Sequence, residues 1–327
     1  MNIDLSPIIS QFIDCKRSIP VNYIELEKMV KRIINKACNS LHDGQYIEVN
    51  LGVIGKVHYP YYSYKTLTSL DLLSIEDLFL FSRYYIENQK NRIFIDIGSN
   101  IGLHTVIAKL IGFKVLSFEP DPETFEINKK FLLQNKIDFL ELEKFHAESL
   151  SENFNVSDVV LVNSAVSNSI GTSTFNRFLD NPTGNHLDGR KRNIYGNVSE
   201  VVVNVTDLSK IQADALIKVD AEGEDAQILE SILNEDKLSG KCYLCDWRTE
   251  TRETIFNHLV AYKLSSFNPF IDKHIYSLND LPNEKSADFI CIDLLAAIYC
   301  LNLSAKVEHL SWEAILLILA HRIGTTL

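Results

Sequence analysis

The stretch FIDIGSNIGLHT, residues 94–105, decides the fold. Ile93 to Ile97 is continuously apolar apart from Asp96, as a parallel strand buried on both faces reads. Leu103, Val106, Ile107 and Leu110 then recur at i, i+3, i+4 and i+7, one face of a helix that Gly112 ends. Between strand and helix stand Gly98, Asn100 and Gly102, a turn in which bare backbone can approach a ligand where side chains would intrude. A strand, a glycine turn and a helix in that order read as a cofactor cradle.

Downstream the alternation continues. Phe113 to Glu119 reads as a strand, and Pro120-Asp121-Pro122 supplies a stop, an N-cap and a helix-compatible proline for a helix through Gln134. Further core strands are expected at Asp158 to Asn163, Ala215 to Asp220 and Cys242 to Trp247, with a helix around Ala226 to Leu233 and a last edge strand within Ser286 to Asp293. Thr172 to Phe178 and Glu200 to Val205 alternate as strands on either side of a long polar loop, Asp180 to Asn197. Upstream, residues 1 to about 40 read as helical, Gln45 to Tyr64 as a β-hairpin, and Ser74 to Tyr85 as a helix capped by Ser74 with Asp77 three residues on. The expected fold class is α/β, a Rossmann-like, mainly parallel sheet with helices on both faces. Helical appendages are expected at 1–69 and 294–327 around a core domain at 70–293.

Composition bounds the function. The chain has 327 residues, 46% of them hydrophobic and 23% charged, ordinary for a globular protein. A net charge of -11 is the wrong sign for gripping a phosphate backbone, so no nucleic-acid partner is expected. The N-terminus has no basic residue before an apolar run, and the longest apolar runs are too short to cross a bilayer, so no membrane span and a cytoplasmic location are expected. The six cysteines lack disulfide-framework spacing, and Cys242 and Cys245 fall on opposite faces of a strand, which reads as free thiols and not as a metal or redox pair.

Glu119 follows Gly98 by 21 residues at the end of the second strand, placed to accept hydrogen bonds from the ribose hydroxyls of a nucleoside. The glycine spacing departs from the dinucleotide pattern, because Asn100 stands where a pyrophosphate needs bare backbone. That counts against an NAD-dependent oxidoreductase, the first alternative. A sulfonium cofactor carries no phosphate and does not demand the contact.

Four segments carry a resemblance to the FkbM-type methyltransferases: FIDIGSNIGLHT (Phe94 to Thr105), FEPDP (Phe118 to Pro122), NSAVSNSIGTSTF (Asn163 to Phe175) and IKVDAEGED (Ile217 to Asp225). The resemblance implies a class I methyltransferase core over 70–293, S-adenosylmethionine as cofactor with S-adenosylhomocysteine as product, and O-methylation of a sugar, glycan or other polyhydroxylated small molecule. By position, it implies that Asp96, Gly98, Ser99, Asn100 and Gly102 wrap the methionine end of the cofactor. Glu119 and Pro120 take the ribose, and Asn163 and Ser164 border the adenine. Asp220 and Glu222 face the methyl group and the acceptor.

An alcohol nucleophile calls for a base, and the candidates are Asp220, Glu222 and the loop histidine His186. His104, on the first core helix, is a further candidate. Asp220 and Glu222 read equally as acids capping the next helix, and with Glu224 they are weighed as a Mg²⁺ site. A divalent cation is not expected. Arg190, Lys191 and Arg192 in the polar loop read as a solvated charge run or a grip on an acidic substrate. Trp312, Ile315, Leu316 and Leu319 line one face of the C-terminal helices, a candidate homodimer seam or a cap on the sheet. The second alternative is a non-catalytic binding module within a carbohydrate-modifying assembly.

Overall fold

A computed structural model describes residues 2–15, 23–63, 68–88, 93–178, 184–189, 197–233, 238–245, 249–262, 264–268, 273–277, 279 and 290–294. Arg190, Lys191, Arg192 and Trp247 lie outside the described residues, as does the C-terminal segment with Trp312, Ile315, Leu316 and Leu319.

Among the described residues, nine strands build the main sheet: β1 (Ile93–Ile97), β2 (Lys114–Phe118), β3 (Leu140–Leu142), β4 (Val159–Val162), β5 (Ala213–Val219), β6 (Leu238–Leu244), β7 (Ser265–Asn268), β8 (Lys273–His274) and β9 (Ile290–Asp293). Their order is β8-β7-β9-β6-β5-β1-β2-β4-β3, and the block from β6 to β3 is parallel. β9 is not the edge strand its position late in the chain suggests. It inserts antiparallel between β6 and β7, where Cys291 and Ile292, both fully buried, fill the interior.

Helices cover both faces, as strands buried on both sides require. On one face lie α1 (Ile75–Glu87), α2 (Leu103–Ile111) and α3 (Pro122–Gln134), packed on Phe94, Val115, Val159 and Leu216. On the other, α4 (Asp225–Leu233) and its neighbours pack on Ile95, Ile97, Leu116, Phe118, Ile217 and Val219. The side-chain alternation of strands divides these sets, and Asp96, Ser117 and Lys218 share the parity of the first.

The α1 boundary follows its sequence: Ser74 accepts from the Asp77 amide at 3.1 Å while the Asp77 carboxylate returns to Ser74, a capping box. Residues before α1 form a small sheet, Asn2–Asp4, Tyr46–Asn50 and Lys56–Pro60, with helices Ser6–Asp14 and Tyr23–Cys38. Their apolar side chains, among them Ile8, Phe12, Val49 and Tyr59, share one core with α1, α2 and α3.

After β4 the chain leaves the main sheet. Ala165–Val166, Gly171–Phe178, His186–Leu187 and Val198–Thr206 form a second sheet with its own small core of Phe175, Leu187, Val203 and Val205. Among the described residues, no helix is long and apolar enough to cross a membrane.

Candidate active site

The carboxyl ends of β1, β2, β4 and β5 open into a cavity of about 290 Å³. That is close to the lower end of the ~300–1,000 Å³ typical of small-molecule sites, at the place where open α/β sheets bind ligands. The second sheet roofs it with Phe175, Asn185, His186 and Leu187, and the segment entering α1, with Asp71, Ser74 and Asp77, closes one side together with His104 of α2.

The turn after β1 is folded tightly under the cavity. The Gly98 and Ser99 amides both donate to the Phe118 carbonyl, at 3.1 and 2.9 Å, so the end of β2 holds the turn in place. Gly98 has φ +71, and a Cβ there would stand 2.0 Å from the Asp220 carbonyl oxygen, so only glycine fits where the β1 and β5 turns meet. Asn100 (φ 51) and Glu222 (φ 40) are two of the three described non-glycine residues with left-handed backbone, and both line the cavity. Such strain collects where a site fixes backbone that packing alone would relax.

Glu119 lines the cavity at 6% exposure. Its carboxylate accepts from the Asn100 amide at 2.8 Å and the Asp121 amide at 2.9 Å, joining the turn after β1 to the start of α3. Burial pushes the Glu119 carboxyl up to about 8, against the pull of these amides. Each oxygen keeps an acceptor position for a hydroxyl donor.

Of the residues singled out in the sequence, Gly98, Ser99, Asn100, Glu119, Pro120, Ser164, His186, Asp220 and Glu222 line this one cavity. Asp96, Gly102 and Asn163 stand outside its wall, for reasons the packing supplies. Asp96 is fully buried against α2, with Thr105 Oγ1 at 2.7 Å and Lys218 Nζ at 3.4 Å from its carboxylate. Gly102 caps α2 at φ +91 and packs on Asn128, where a Cβ would stand 2.1 Å from Oδ1. Asn163 braces the β2 end from behind, donating to the Glu119 carbonyl at 2.8 Å and the Pro120 carbonyl at 3.2 Å.

The acids after β5 do not gather into a cation site. Glu224 turns to accept from Ser167 at 2.7 Å, and no group of three or more metal-ligating side chains occurs among the described residues. Asp220, 44% exposed at its side chain, faces Lys218 Nζ at 3.4 Å and not the α4 amides. His186 is buried, stacked on Phe178 at 5.4 Å. Its Nδ1 lies 3.0 Å from the Gly184 carbonyl, so Nδ1 carries the proton and Nε2 is the basic nitrogen. His104 is held through both ring nitrogens, Nε2 at 3.1 Å from Asp77 and Nδ1 at 3.0 Å from the Tyr84 hydroxyl. That pairing suits a structural post better than a base.

Two residues were not legible as site residues. Lys218, 2% exposed, lines the cavity floor, and its signal in the sequence is a lone cation between Ile217 and Val219 in a buried strand. Arg177 reaches from the second sheet to Asp121, with Nε at 3.1 Å and Nη2 on the other oxygen, while Asn185 Nδ2 donates to the same carboxylate at 3.2 Å. A sequence carries no sign of that long-range pairing.

In solved structures the chain is similar to SAH-bound methyltransferase PaMTH1 from Podospora anserina, at 10% identity and TM-score 0.33, with 87% of this chain and 93% of that one covered. It is similar to a ribosomal protein L11 methylase from Lactobacillus delbrueckii subsp. bulgaricus, at 12% identity and TM-score 0.33, covering 67% and 78%. Trm5b from Pyrococcus abyssi is similar at 10% identity and TM-score 0.36, covering 84% and 70%. No curated protein matches the chain at a significant level. The family model described as the Methyltransferase FkbM domain matches residues 96–257, which include the cavity lining from Ile97 to Glu224, and this part of the chain belongs to that methyltransferase family.

Proposed function

We propose that the protein is an S-adenosylmethionine-dependent O-methyltransferase whose acceptor is a hydroxyl of a sugar, glycan or related polyhydroxylated metabolite. The observation that carries the reading is one cavity with a buried carboxylate, Glu119, beside the Gly98–Asn100 turn, and acids and a histidine, Asp220, Glu222 and His186, also on its wall. The fit of the cofactor rests on that turn, where the absent Cβ of Gly98 keeps backbone bare, and on Glu119, whose free acceptor positions suit the two ribose hydroxyls. The Ser164 side of the cavity suits the adenine. The bound cofactor supplies an activated methyl group on sulfonium.

The residues of this chain then have two tasks. Positioning is the larger, because in-line displacement needs donor and nucleophile aligned. The tight turn after β1 and the roof of the second sheet supply rigid walls for it. Proton removal from the acceptor hydroxyl falls to Asp220, Glu222 or Nε2 of His186. A net charge of -11 and a wall of Asp71, Asp77, Asp220 and Glu222 favour a neutral, hydroxyl-rich acceptor over a polyanion.

Isothermal titration calorimetry with S-adenosylmethionine and S-adenosylhomocysteine tests the cofactor. Mass spectrometry of glycans and small metabolites from cells with and without the gene tests the acceptor, through products heavier by one methylene unit. No binding of either nucleoside by the intact protein would overturn the reading.

A further inference from the structure

Lys218 is an unusual residue for its place. It sits next to last in β5, between fully buried Ile217 and Val219, and is opposite Asp96 across the parallel ladder with β1. Its Nζ donates to the Gly98 carbonyl at 2.9 Å and lies 3.4 Å from Asp96 Oδ1 and 3.4 Å from Asp220 Oδ2. Burial opposes its charge, but the Asp220 and Asp96 carboxylates outweigh burial and hold its pKa above the ordinary lysine value. Lys218 is thus a fixed cation.

Stability alone does not account for it. Removing a lysine and an aspartate from water costs several kcal/mol per ion, and well-packed apolar pairs at such positions are often as stable or more so. What the ammonium does, and an apolar side chain cannot, is join three acceptors from two strands. It anchors the Gly98 carbonyl, at the tip of the β1 turn, and the Asp220 carboxylate, at the tip of the β5 turn. Both reach the same cavity.

We infer that Lys218 is a positioning residue for the methionine end of the cofactor site, a buried cation that locks the Gly98 turn and the Asp220 carboxylate into one rigid set. The inference rests on the cofactor reading above. Asp96 acts as its counter-charge from beneath, which gives that residue a role without contact with the ligand. Thr105 Oγ1, 2.7 Å from the far oxygen of Asp96 and 2.9 Å from Ser117 Oγ, orients the carboxylate in turn.

Calorimetry with two probes tests it. S-adenosylhomocysteine has the amino-acid end; 5′-methylthioadenosine has the same nucleoside without it. The variant is Lys218→Met with Asp96→Asn, which removes both buried charges together and leaves only the solvated Asp220 carboxylate, 44% exposed, without its cation. It is expected to melt as one cooperative unit and to bind methylthioadenosine within about twofold of the parent, while losing at least about tenfold for S-adenosylhomocysteine, the scale of one hydrogen bond to a charged group. Lys218→Arg keeps the cation and displaces its point of contact, and the same selective loss is expected there should the double variant fail to fold. Equal loss for both probes, or no loss for either, would overturn the inference. Failure of the parent protein to bind either probe would instead sink the cofactor reading itself, and Glu119→Gln, expected to weaken both probes alike, separates the two cases.

Discussion

Arg177 grips the Asp121 carboxylate through Nε and Nη2, and so ties the strand Gly171–Phe178 to the N-cap of α3. Both side chains are largely buried, at 13% and 3% exposure, and Asn185 joins the same carboxylate from the segment that carries His186. The roof of the cavity is therefore fastened two residues beyond Glu119. Replacing Arg177 by Ala leaves a buried carboxylate with reduced compensation, and a loss of about 3 kcal/mol is expected in urea denaturation. Weaker S-adenosylhomocysteine binding should accompany it. A stability change below about 0.5 kcal/mol, the scale of an ordinary surface substitution, would show that the pair is not a fastening.

Glu119 makes binding depend on pH. Its pKa of about 8 in the free protein, raised chiefly by burial, means the carboxyl is largely protonated at neutral pH. Ribose hydroxyls favour the ionised form, so S-adenosylhomocysteine affinity should rise from pH 6 to 8, by up to about tenfold per unit, and level off above. Glu119→Gln should bind weakly and without that slope. Stability of the free protein runs the other way. The native pKa lies above the unfolded value, so this contribution is full below about pH 4.5 and is lost as pH rises through about 8. Melting of the parent relative to Glu119→Gln across pH 5 to 9 checks the sign.

Gly98→Ala is expected to be severe. The new Cβ would stand 2.0 Å from a backbone carbonyl, at φ +71, and the strained conformation alone costs about 1–3 kcal/mol. Chemical denaturation should register at least that, with S-adenosylhomocysteine binding abolished. Wild-type stability would mean the two turns can part freely.

Asp220→Asn, Glu222→Gln and His186→Asn separate the candidate bases. The true base should lose about 10²–10⁴ in methyl transfer, the scale of a proton transfer's contribution to the rate. The readout is methylated product by mass spectrometry in cells carrying each variant. Equal activity in all three would assign proton removal elsewhere.

His104→Phe removes both hydrogen bonds of a buried ring that links Asp77 on α1 to Tyr84. Leaving these partners without it should cost about 1–3 kcal/mol, measured by thermal melting. The cavity wall at Ser74 and Asp77 should loosen with it.

The core of the fold was written in local pattern. Strand Ile93–Ile97, helix Leu103–Ile111 with its glycine stop, and the Ser74 cap all depend on neighbours in the chain, and each formed within a residue or two of where it reads. The placement of β9 was not legible, since strand order depends on which edge is free when the segment docks, and a short strand with three apolar residues looks alike at an edge or within a sheet. At the site, Gly98, Glu119, Ser164 and Asp220, which read as strand-end residues, line one cavity. Asp96 was misjudged in direction: alternation sends Ile95 and Ile97 to one face and Asp96 to the other, toward α2 and Lys218. Arg177 and Asp121 are 56 residues apart, a pairing that no periodicity encodes.

The union of the Gly98 and Asp220 turns has a consequence for the order in which the molecule assembles. Lys218 and the carbonyl it grips are separated by 120 residues, and β1 and β5 lie side by side only after everything between them has been set aside. Closing so long a loop is entropically costly and comes late in folding. During synthesis the glycine turn and Glu119 leave the ribosome well before their floor exists, and a nascent chain ending before Ala213 has half a cradle. Nucleoside binding is therefore a mark of the finished sheet.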